Sequence, residues 1–334
     1  TTQSFPANRG NVTAVSSSPY PIGAPRWKRV VETTRAYRAL SRLLGDVNDI
    51  DILWRGTTDY RYLHRVLRRH GMRLPVVFQF HEHDPDYFHL CRTADHVVVP
   101  EENRAWLTRV SAGLSYTPSV LPNTPIHHPR RVDPSAIDTQ LTQHRESGKR
   151  IVMYQGGMDF QRRCIPELIQ AIGLCDTDTV LAMMPARPLA DSEREHIASV
   201  VKEAGVASRT LILPSRVAPT HLDIVGQADV GIGLYRPTSI NQTHCAPNRL
   251  YEFTGFGIPV VLPNFPGIRQ IGDKYGCIEL CDPQSPASIA NAIESFARQG
   301  RRECATESAH SFFESEGNYL QHLENLITKL VEED

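Results

Sequence analysis

Residues 243–261 read THCAPNRLYEFTGFGIPVV, and this stretch predicts a loop, a helix and a buried strand in that order. The helix is expected to begin at Pro247, because proline is favoured in the first turn, and the strand covers Pro259–Leu262. Glu252 follows in the second turn of the helix. A helix start offers free N–H groups to a phosphate, and a carboxylate further along accepts hydrogen bonds from a diol such as a ribose. The stretch therefore predicts two contacts with a nucleotide diphosphate.

The second half of the chain alternates between short apolar runs and helical patterns. The runs are rich in Val, Ile and Leu on both faces, which is typical of parallel strands covered by helices. The predicted strands are Arg150–Gln155, Thr179–Met184, Thr210–Pro214, Val230–Tyr235, Pro259–Leu262 and Cys277–Cys281. The predicted helices fall near 164–175, 190–205, 219–227, 247–256, 266–273 and 286–299. Repeated units of this size predict a doubly wound α/β domain.

The first half shows the same alternation less cleanly. The predicted strands are Val12–Ser16, Ile50–Trp54, Val76–Phe80, His96–Val99 and Ser119–Leu121, and the predicted helices lie near 26–44, 58–70, 85–93 and 101–112. Thr1–Gly10 has the pattern of a strand end and a loop, directly before the strand at Val12. A parallel crossover needs about ten or more residues. We therefore expect part of the first βαβ unit to be missing near Gly10.

Composition limits the class of protein. The 334 residues are 40% hydrophobic, and no apolar run approaches the about eighteen residues of a membrane-spanning helix. The seven cysteines are scattered without a C-x-x-C pair, which predicts buried free thiols in a reducing cytoplasm. Residues 1–148 carry 19 Lys and Arg against 14 Asp and Glu, whereas the remainder carries 17 against 23. This asymmetry suggests two domains with different partners, and a solvated basic face is the simpler alternative.

A second motif spans Ile151–Arg163, which reads IVMYQGGMDFQRR. A buried strand leads into Gly156 and Gly157, and glycines at that point let a ligand approach the backbone. Arg162 and Arg163 follow, and arginine pairs bidentately with phosphate oxygens. The position is the carboxyl end of a strand, where open α/β sheets bind ligands. A Gly-Gly turn followed by two surface arginines is the alternative interpretation.

A third segment, Ala228–Tyr235, predicts a strand whose glycines allow close packing. The strand leads through the loop 236–246 to the helix that begins at Pro247. Arg249 lies in the first turn of this helix, where a cation is unfavourable beside the positive end of the helix dipole. An anion docked beside it would remove that conflict.

Together these three segments resemble the GT-B glycosyltransferases, in particular the large retaining, nucleotide-sugar-dependent family. The run YQGGMDFQRRCIPELI at 154–169 resembles the opening of that family's second domain, where a Gly loop and an Arg or Lys bind the donor diphosphate. Pro247–Glu252 and Gly257–Val261 resemble its signature helix and the following strand. The resemblance covers 150–300 well and 1–123 thinly. It implies an α/β fold of two doubly wound Rossmann-like domains that face an interdomain cleft.

The resemblance also implies roles for individual residues. Glu252 would hold the ribose hydroxyls, and Arg163, with Arg162 as its rival, would bind the diphosphate. His81 would touch the donor sugar, and His244 stands where many members carry a second sugar-contacting glutamate. The catalytic set is His81, Arg163 and Glu252. The donor-binding set is Gly10, Gly156, Gly157, Arg162, Arg163, His244, Cys245, Ala246, Pro247, Asn248, Arg249, Leu250 and Glu252.

Two other clusters allow alternative interpretations. The run HEHDPDYFH at 81–89 resembles a ligand cluster, but its spacing matches no standard zinc pattern, so no metal site is predicted. A histidine that only caps its strand is the alternative for His81. The basic helix predicted over Tyr60–Arg73 is compatible with a weak peripheral contact with the inner face of a membrane, and a solvated helix is the simpler interpretation. No nucleic-acid motif with interleaved aromatic residues is present.

The sequence thus predicts a cytoplasmic glycosyltransferase that moves a sugar from a UDP- or GDP-linked donor, with retention and without a metal or other cofactor. The acceptor is left open among lipid-linked, polysaccharide and small molecules. A nucleotide-sugar 2-epimerase of the same fold and a non-catalytic nucleotide-sugar-binding subunit are the alternatives. The predicted organisation is an acceptor domain at 1–123, a linker at 124–149, a nucleotide-sugar domain at 150–300, and a C-terminal helix at 301–334 that packs back on the first domain.

Overall fold

The computed structural model describes residues 2–4, 11–13, 34, 38, 41–42, 52–56, 67, 69, 71, 75–244, 247–297 and 301–332. The chain divides into two units, one formed by Thr1–Val99 with Thr108–Ser119 and the other by Pro100–Leu107 with Val120–Asp334. Most of the basic helix predicted over Tyr60–Arg73 lies outside the described residues. Among the helices that are described, none is both long and apolar enough to cross a bilayer.

The first unit contains a hairpin and a four-stranded sheet. β1 (Thr2–Ser4) and β2 (Asn11–Thr13) pair antiparallel as a separate sheet. The long crossover expected near Gly10 is a requirement of parallel strands, whereas antiparallel strands need only a short connection. The sheet has the order β3-β4-β5-β6 and is parallel from β3 to β5. Its strands are β3 (Leu53–Arg55), β4 (Val76–Gln79), β5 (His96–Val99) and β6 (Ser119–Val120), with helices α1 (Phe88–Thr93) and α2 (Glu102–Ala112) between them.

The second unit confirms the predicted alternation of strands and helices. Its strands are β7 (Arg150–Gly156), β8 (Thr179–Pro185), β9 (Thr210–Ile212), β10 (Val230–Ile232), β11 (Val260–Pro263) and β12 (Ile278–Cys281). Its helices are α3 (Thr139–Glu146), α4 (Ile165–Leu174), α5 (Asp191–Glu203), α6 (Leu222–Val225), α7 (Ile240–Thr243), α8 (Asn248–Thr254), α9 (Pro266–Lys274), α10 (Pro286–Ser295), α11 (Arg301–Glu316) and α12 (Tyr319–Glu332). The strand predicted over Val230–Tyr235 is shorter than expected and ends at Ile232.

The six strands form one parallel sheet with a core on each face. Alternate residues of β7 point to opposite faces, so Val152 and Tyr154 join one core and Ile151 and Met153 the other. The first core receives α4, α5 and α10, and the second receives α3, α8 and α11. Helix α4 follows the expected apolar spacing, because Ile165, Leu168, Ile169 and Ile172 are all fully buried. The second unit is therefore doubly wound.

Three sequence expectations are corrected in detail. The segment 124–149, predicted as a linker, contains the two-turn helix α3. The C-terminal stretch forms two helices instead of one, because the helical conformation is interrupted at Gly317 and Asn318 between α11 and α12. Of the cysteines that the structure describes, Cys304 is exposed, whereas the other five are buried free thiols as expected.

Candidate functional site

The two predicted ligand segments meet at the point where the strand order of the second unit reverses. The sheet runs β12-β11-β10-β7-β8-β9, so β7, the first strand of the sheet, lies next to its fourth strand, β10. Val152 pairs with Val230, and Tyr154 pairs with Ile232. The loops that follow these two strands leave the same edge of the sheet in opposite directions. Open α/β sheets bind ligands in the crevice that this reversal creates.

The glycine loop after β7 is held by two side chains. The Tyr154 hydroxyl donates a hydrogen bond to the carbonyl of Gly157 at 2.6 Å. The Asp159 carboxylate accepts hydrogen bonds from the backbone N–H groups of Gln161 and Arg162 at 2.9 and 3.2 Å. These contacts give the loop a defined conformation before it enters α4.

Two guanidinium groups lie against one tyrosine ring at the end of β10. The Arg163 guanidinium carbon is 4.5 Å from the centre of the Tyr235 ring, and that of Arg249 is 5.5 Å from it. Arg249 also lies 4.6 Å from the Tyr154 ring, and its Nη2 donates to the Tyr154 hydroxyl at 3.4 Å. Aromatic faces attract cations, so the rings hold both arginines in place without neutralising them.

Neither arginine has a carboxylate partner within the described ranges. Arg249 is only 6% exposed, and the Nη1 atoms of Arg163 and Arg249 are buried with no hydrogen-bond partner among the residues described. Buried polar groups are almost always hydrogen-bonded, and buried charges are paired. Two such atoms around one ring therefore indicate a place for an anion.

Gly156 leaves the space that the Arg249 guanidinium occupies. Its φ is +125°, a conformation that L side chains rarely adopt, and a Cβ at this position would overlap Nη2 of Arg249. Gly157, by contrast, has open space where a Cβ would stand. The first glycine of the loop is thus required by the arginine, and the second is not.

Glu252 lies in a buried polar cluster beside these arginines. The residue is 7% exposed, and its carboxylate accepts a hydrogen bond from the side-chain amide of Gln155. The other carboxylate oxygen is 3.2 Å from Nε2 of His221, whose Nδ1 is buried without a partner in the described part of the chain. Arg249 is one turn earlier on the same helix, but it does not pair with Glu252. A carboxylate has about four acceptor positions, so Glu252 retains capacity for a diol.

The end of α8 is held by His128 from the segment before α3. Nε2 of His128 donates to the Glu252 carbonyl at 2.9 Å, and Nδ1 accepts from the N–H of Arg130 at 3.0 Å. These two bonds require the neutral imidazole with its proton on Nε2. Burial lowers the pKa of His128, partly offset by the Glu252 carbonyl, so the ring stays neutral.

The imidazole of His244 folds back on the short helix α7. Its Nδ1 is 3.0 Å from the Thr243 hydroxyl and 3.3 Å from the carbonyl of Ile240, which can only accept a hydrogen bond. Nδ1 therefore carries the proton in the neutral ring, and Nε2 is an acceptor. The backbone carbonyl of His244 accepts a hydrogen bond from Nε of Arg104 at 2.8 Å.

The structure brings part of the predicted set together. Arg163 lies against Tyr235, Arg249 lies against Tyr154 and Tyr235, and Gly156 packs against Arg249. Glu252 follows Arg249 by one turn of α8, whereas Gly10, Cys245 and Ala246 lie outside the described residues. Arg162, the rival of Arg163, is exposed and 3.6 Å from Asp159. Pro247 is buried and Asn248 is exposed, while the Leu250 side chain joins the core. The Leu250 N–H donates to the Pro247 carbonyl at 3.0 Å, and α8 has only seven residues, so the arginines rather than this helix start characterise the site.

His81 lies in the first unit, directly after β4, and is half-buried. Its neighbours have roles of their own. The ring of His83 packs against Phe80 and Phe88, and Asp84 accepts the N–H of Asp86 at 3.0 Å. Over the residues that the structure describes, no three His, Cys, Asp or Glu side chains are grouped so that they could hold a metal ion.

Five residues of this neighbourhood were not predicted, namely Arg104, Tyr154, Gln155, His221 and Tyr235. Tyr154, Gln155 and Tyr235 stand at strand ends that meet at the sheet reversal, so their position in the predicted strands was a usable signal. His221 and Arg104 carry no local signal, because their partners are 31 and 140 residues away in the chain.

Solved structures that this chain resembles in fold include a glycosyltransferase and a trehalose 6-phosphate synthase. A glycosyltransferase from Rickettsia africae matches with a TM-score of 0.70 and 12% identity, over 96% of this chain and 84% of that one. Anabaena HepE in complex with UDP matches with a TM-score of 0.68 and 13% identity, over 92% and 84%. The α,α-trehalose 6-phosphate synthase of Burkholderia multivorans matches with a TM-score of 0.63 and 14% identity, over 93% and 76%.

No protein-family model matches the chain, and no curated protein matches it in sequence. At identities this low the structural likeness speaks for the fold alone. The parallel sheet of each unit and the agreement with these structures over most of the chain confirm the fold expected from the sequence: the chain has the GT-B fold.

Proposed function

We propose that this chain is a glycosyltransferase whose second unit binds a nucleoside diphosphate sugar. The observation that carries the proposal is the pair of unpaired, buried guanidinium atoms of Arg163 and Arg249 at the strand-order reversal. A diphosphate supplies the negative charge and the acceptor oxygens that these atoms lack. The GT-B fold and the UDP bound to Anabaena HepE support the same assignment, with UDP as the first nucleotide to test.

The arginines would act on the leaving group. During transfer the bond between the anomeric carbon and the diphosphate breaks, the acceptor hydroxyl bonds to that carbon, and its proton is released. Negative charge grows on the diphosphate as the bond breaks. Guanidinium groups already held against Tyr235 would stabilise that charge without reorganising, which is how a preorganised site lowers a barrier.

Glu252 would bind the ribose hydroxyls of the donor. His81 and the Nε2 atom of His244 are proposed to contact the donor sugar. We further propose retention of the anomeric configuration, a reaction without a metal, and a cytoplasmic location. The acceptor would be a lipid-linked, polysaccharide or small-molecule hydroxyl, and a weak peripheral membrane contact would favour the first.

Calorimetric titration tests donor binding directly. We expect UDP or GDP to bind the intact chain clearly more tightly than the matching nucleoside, because only the diphosphate reaches the arginines. Glu252→Ala should lose nucleotide affinity through the lost ribose contacts. Equal affinity for nucleoside and nucleoside diphosphate would refute the diphosphate site, and unchanged UDP and GDP affinity in Glu252→Ala would refute the ribose role.

A donor scan separates the alternative functions. Release of nucleoside diphosphate that depends on an added acceptor would support the transferase. Turnover of the donor without any acceptor would favour a nucleotide-sugar 2-epimerase. Tight binding without turnover across the donor and acceptor panels would favour a non-catalytic nucleotide-sugar-binding subunit.

A further inference from the structure

A buried arginine far away in the sequence holds the segment that leads into the candidate donor site. Arg104, in the part of α2 that belongs to the second unit, is 3% exposed. Its Nε donates to the carbonyl of His244 at 2.8 Å, and its Nη2 donates to the carbonyl of Asn241 at 2.8 Å and to the side-chain oxygen of Asn241 at 2.5 Å. One guanidinium thus binds both ends of the last turn before residues 245–246.

The backbone of Arg104 is itself held by the carboxylate of Glu101. The carboxylate of Glu101, which is 4% exposed, accepts the backbone N–H groups of Asn103 and Arg104, each at 2.7 Å. Such contacts satisfy N–H groups that the first turn of a helix leaves free. These bonds fix the backbone of Arg104, so the guanidinium reaches its acceptors from a fixed position.

The segment that Arg104 holds, Asn241–His244, is short and only partly buried. Helix α7 has four residues, none of which is buried, and Ile240 within it is 56% exposed. A helix this short does not persist without tertiary contacts. At its N-cap, the N–H of Gln242 donates to the hydroxyl oxygen of Ser239 at 3.3 Å, and the Thr243 hydroxyl donates to the Ser239 carbonyl at 3.4 Å. The hydrogen bonds from Arg104 tie this segment to α2, 137 and 140 residues away in the chain.

We propose that Arg104 is a positioning residue for donor binding. It sets the path of the chain from Asn241 to His244, and thereby the position of the imidazole of His244 and the entry into α8, which carries Arg249 and Glu252. This inference rests on the proposed function, because it assigns Arg104 to the same donor site. Lysine should replace it only in part, since a single ammonium does not hold two carbonyls with the fixed fork of a guanidinium.

The experiment compares Arg104→Met and Arg104→Lys with the control Arg109→Met. Arg109 is on the same helix and donates to the hydroxyl of Thr117 at 3.1 Å, so its loss removes a similar bond from another segment. We expect Arg104→Met to weaken UDP binding about tenfold, the loss expected for charged hydrogen bonds, and Arg104→Lys to recover only part of it. Arg109→Met should bind UDP as the parent does.

Hydrogen exchange provides a readout that general destabilisation would not reproduce. The N–H groups of Thr243 and His244 bond within α7 at 3.1 Å each, and they should exchange faster in Arg104→Met while the β7 amides stay protected. Asn241→Ala, which removes one acceptor at a half-buried position, should show the same pattern with a smaller loss of UDP affinity.

Two outcomes would overturn the inference: unchanged exchange of α7 in Arg104→Met, or an equal loss of UDP affinity in Arg109→Met. Failure of the parent chain to bind UDP or GDP would instead refute the proposed function and the donor role of Arg104 with it. The exchange measurement would still decide whether Arg104 holds the segment, so the two failures are distinguishable.

Discussion

Arginines at the two ends of the sheet in the second unit have different partners. At the amino ends of the strands, Arg150 pairs with Glu294 at 2.6 Å and with the hydroxyl of Thr179 at 2.5 Å, and Arg302 pairs with Asp229. At the carboxyl ends, Arg163 and Arg249 face aromatic rings and have no carboxylate partner among the described residues. A buried nitrogen without a described partner occurs at both ends, as Nη1 of these two arginines and as Nε of Arg150.

The arginines at the amino ends pair with carboxylates, as expected for charges that stabilise the fold. Arg163 and Arg249 lie against aromatic rings instead, as expected for charges that bind an anionic ligand. A partly buried arginine that only stabilises structure needs a carboxylate or several carbonyl oxygens as partners, because an isolated buried charge is costly. Pairing is available at the carboxyl ends too, since Arg236 pairs there with Glu167. At this edge of the sheet Arg163 and Arg249 thus differ from Arg236 in facing aromatic rings instead of a carboxylate, which supports the proposed diphosphate contact.

The largest expected effect is the loss of UDP binding in the double variant Arg163→Met, Arg249→Met. Removing both guanidiniums should weaken UDP binding about 100-fold or more, because each makes charged hydrogen bonds worth about 1.5–3 kcal/mol. The free energy of unfolding should stay the same or rise, since no ion pair among the described residues is lost. Calorimetry and urea unfolding measure the two quantities.

Arg162→Met is the control for the double variant, because Arg162 is an exposed neighbour whose guanidinium pairs with Asp159. It should bind UDP like the parent. The proposed difference between the two ends of the sheet would be contradicted if the double variant kept full UDP affinity. It would also be contradicted if the free energy of unfolding of the double variant were several kcal/mol lower than that of Arg162→Met.

The opposite end should respond in the opposite way to Arg150→Met. Its side chain is 11% exposed and that of Glu294 is 26%, so the variant leaves a partly buried carboxylate and should cost about 2 kcal/mol of unfolding free energy. UDP affinity should not change. Arg187→Met, which breaks the solvent-exposed pair with Glu193, should alter stability little. Equal stability of the two variants would contradict the structural role of Arg150.

A smaller effect is expected from Gly156→Ala, with Gly157→Ala as the matched control. The new methyl group at 156 overlaps the Arg249 guanidinium and enforces a strained φ, so we expect about 1–3 kcal/mol of lost stability and weaker UDP binding. Gly157→Ala meets open space and should be neutral in both assays. If both variants behaved alike, the fit between Gly156 and Arg249 would not matter for binding.

The smallest effect concerns pH and His128. Because burial lowers the pKa of this histidine, the folded state favours its neutral form, and stability is fully present above the unfolded pKa of about 6.5. As the pH falls below that value, the unfolded state gains the proton first and the free energy of unfolding declines until the folded pKa is reached. Urea unfolding from pH 7.5 to 5.0 measures this slope.

His128→Gln keeps a donor for the Glu252 carbonyl but does not titrate. The part of the slope that His128 contributes should therefore disappear in this variant, while UDP affinity at pH 7.5 stays near that of the parent. An identical slope in the two proteins would show that His128 is not the titrating group.

Much of the second unit could be predicted because its information is local. The apolar runs that became β7 and β8 are buried on both faces, and the spacing of Ile165, Leu168 and Ile172 specified α4. Strand ends were less predictable: Val230–Tyr235 is apolar throughout, but pairing with β7 and β11 ends at Ile232. Pairing is a property of neighbouring strands, so one strand's own sequence does not set its end.

The sequence by itself determined the alternation of strands and helices and the local motifs that carry Gly156, Arg163, Arg249 and Glu252. Short-range sterics and burial fix these features within a few residues of the chain. Only the tertiary structure decided which arginines have carboxylate partners and that Arg163 and Arg249, which have none among the described residues, both lie against Tyr235. It also decided that Arg104 donates to the carbonyl of His244. Those facts depend on the strand order, which places β10 beside β7, and on contacts between segments as far as 140 residues apart, for which no local pattern exists.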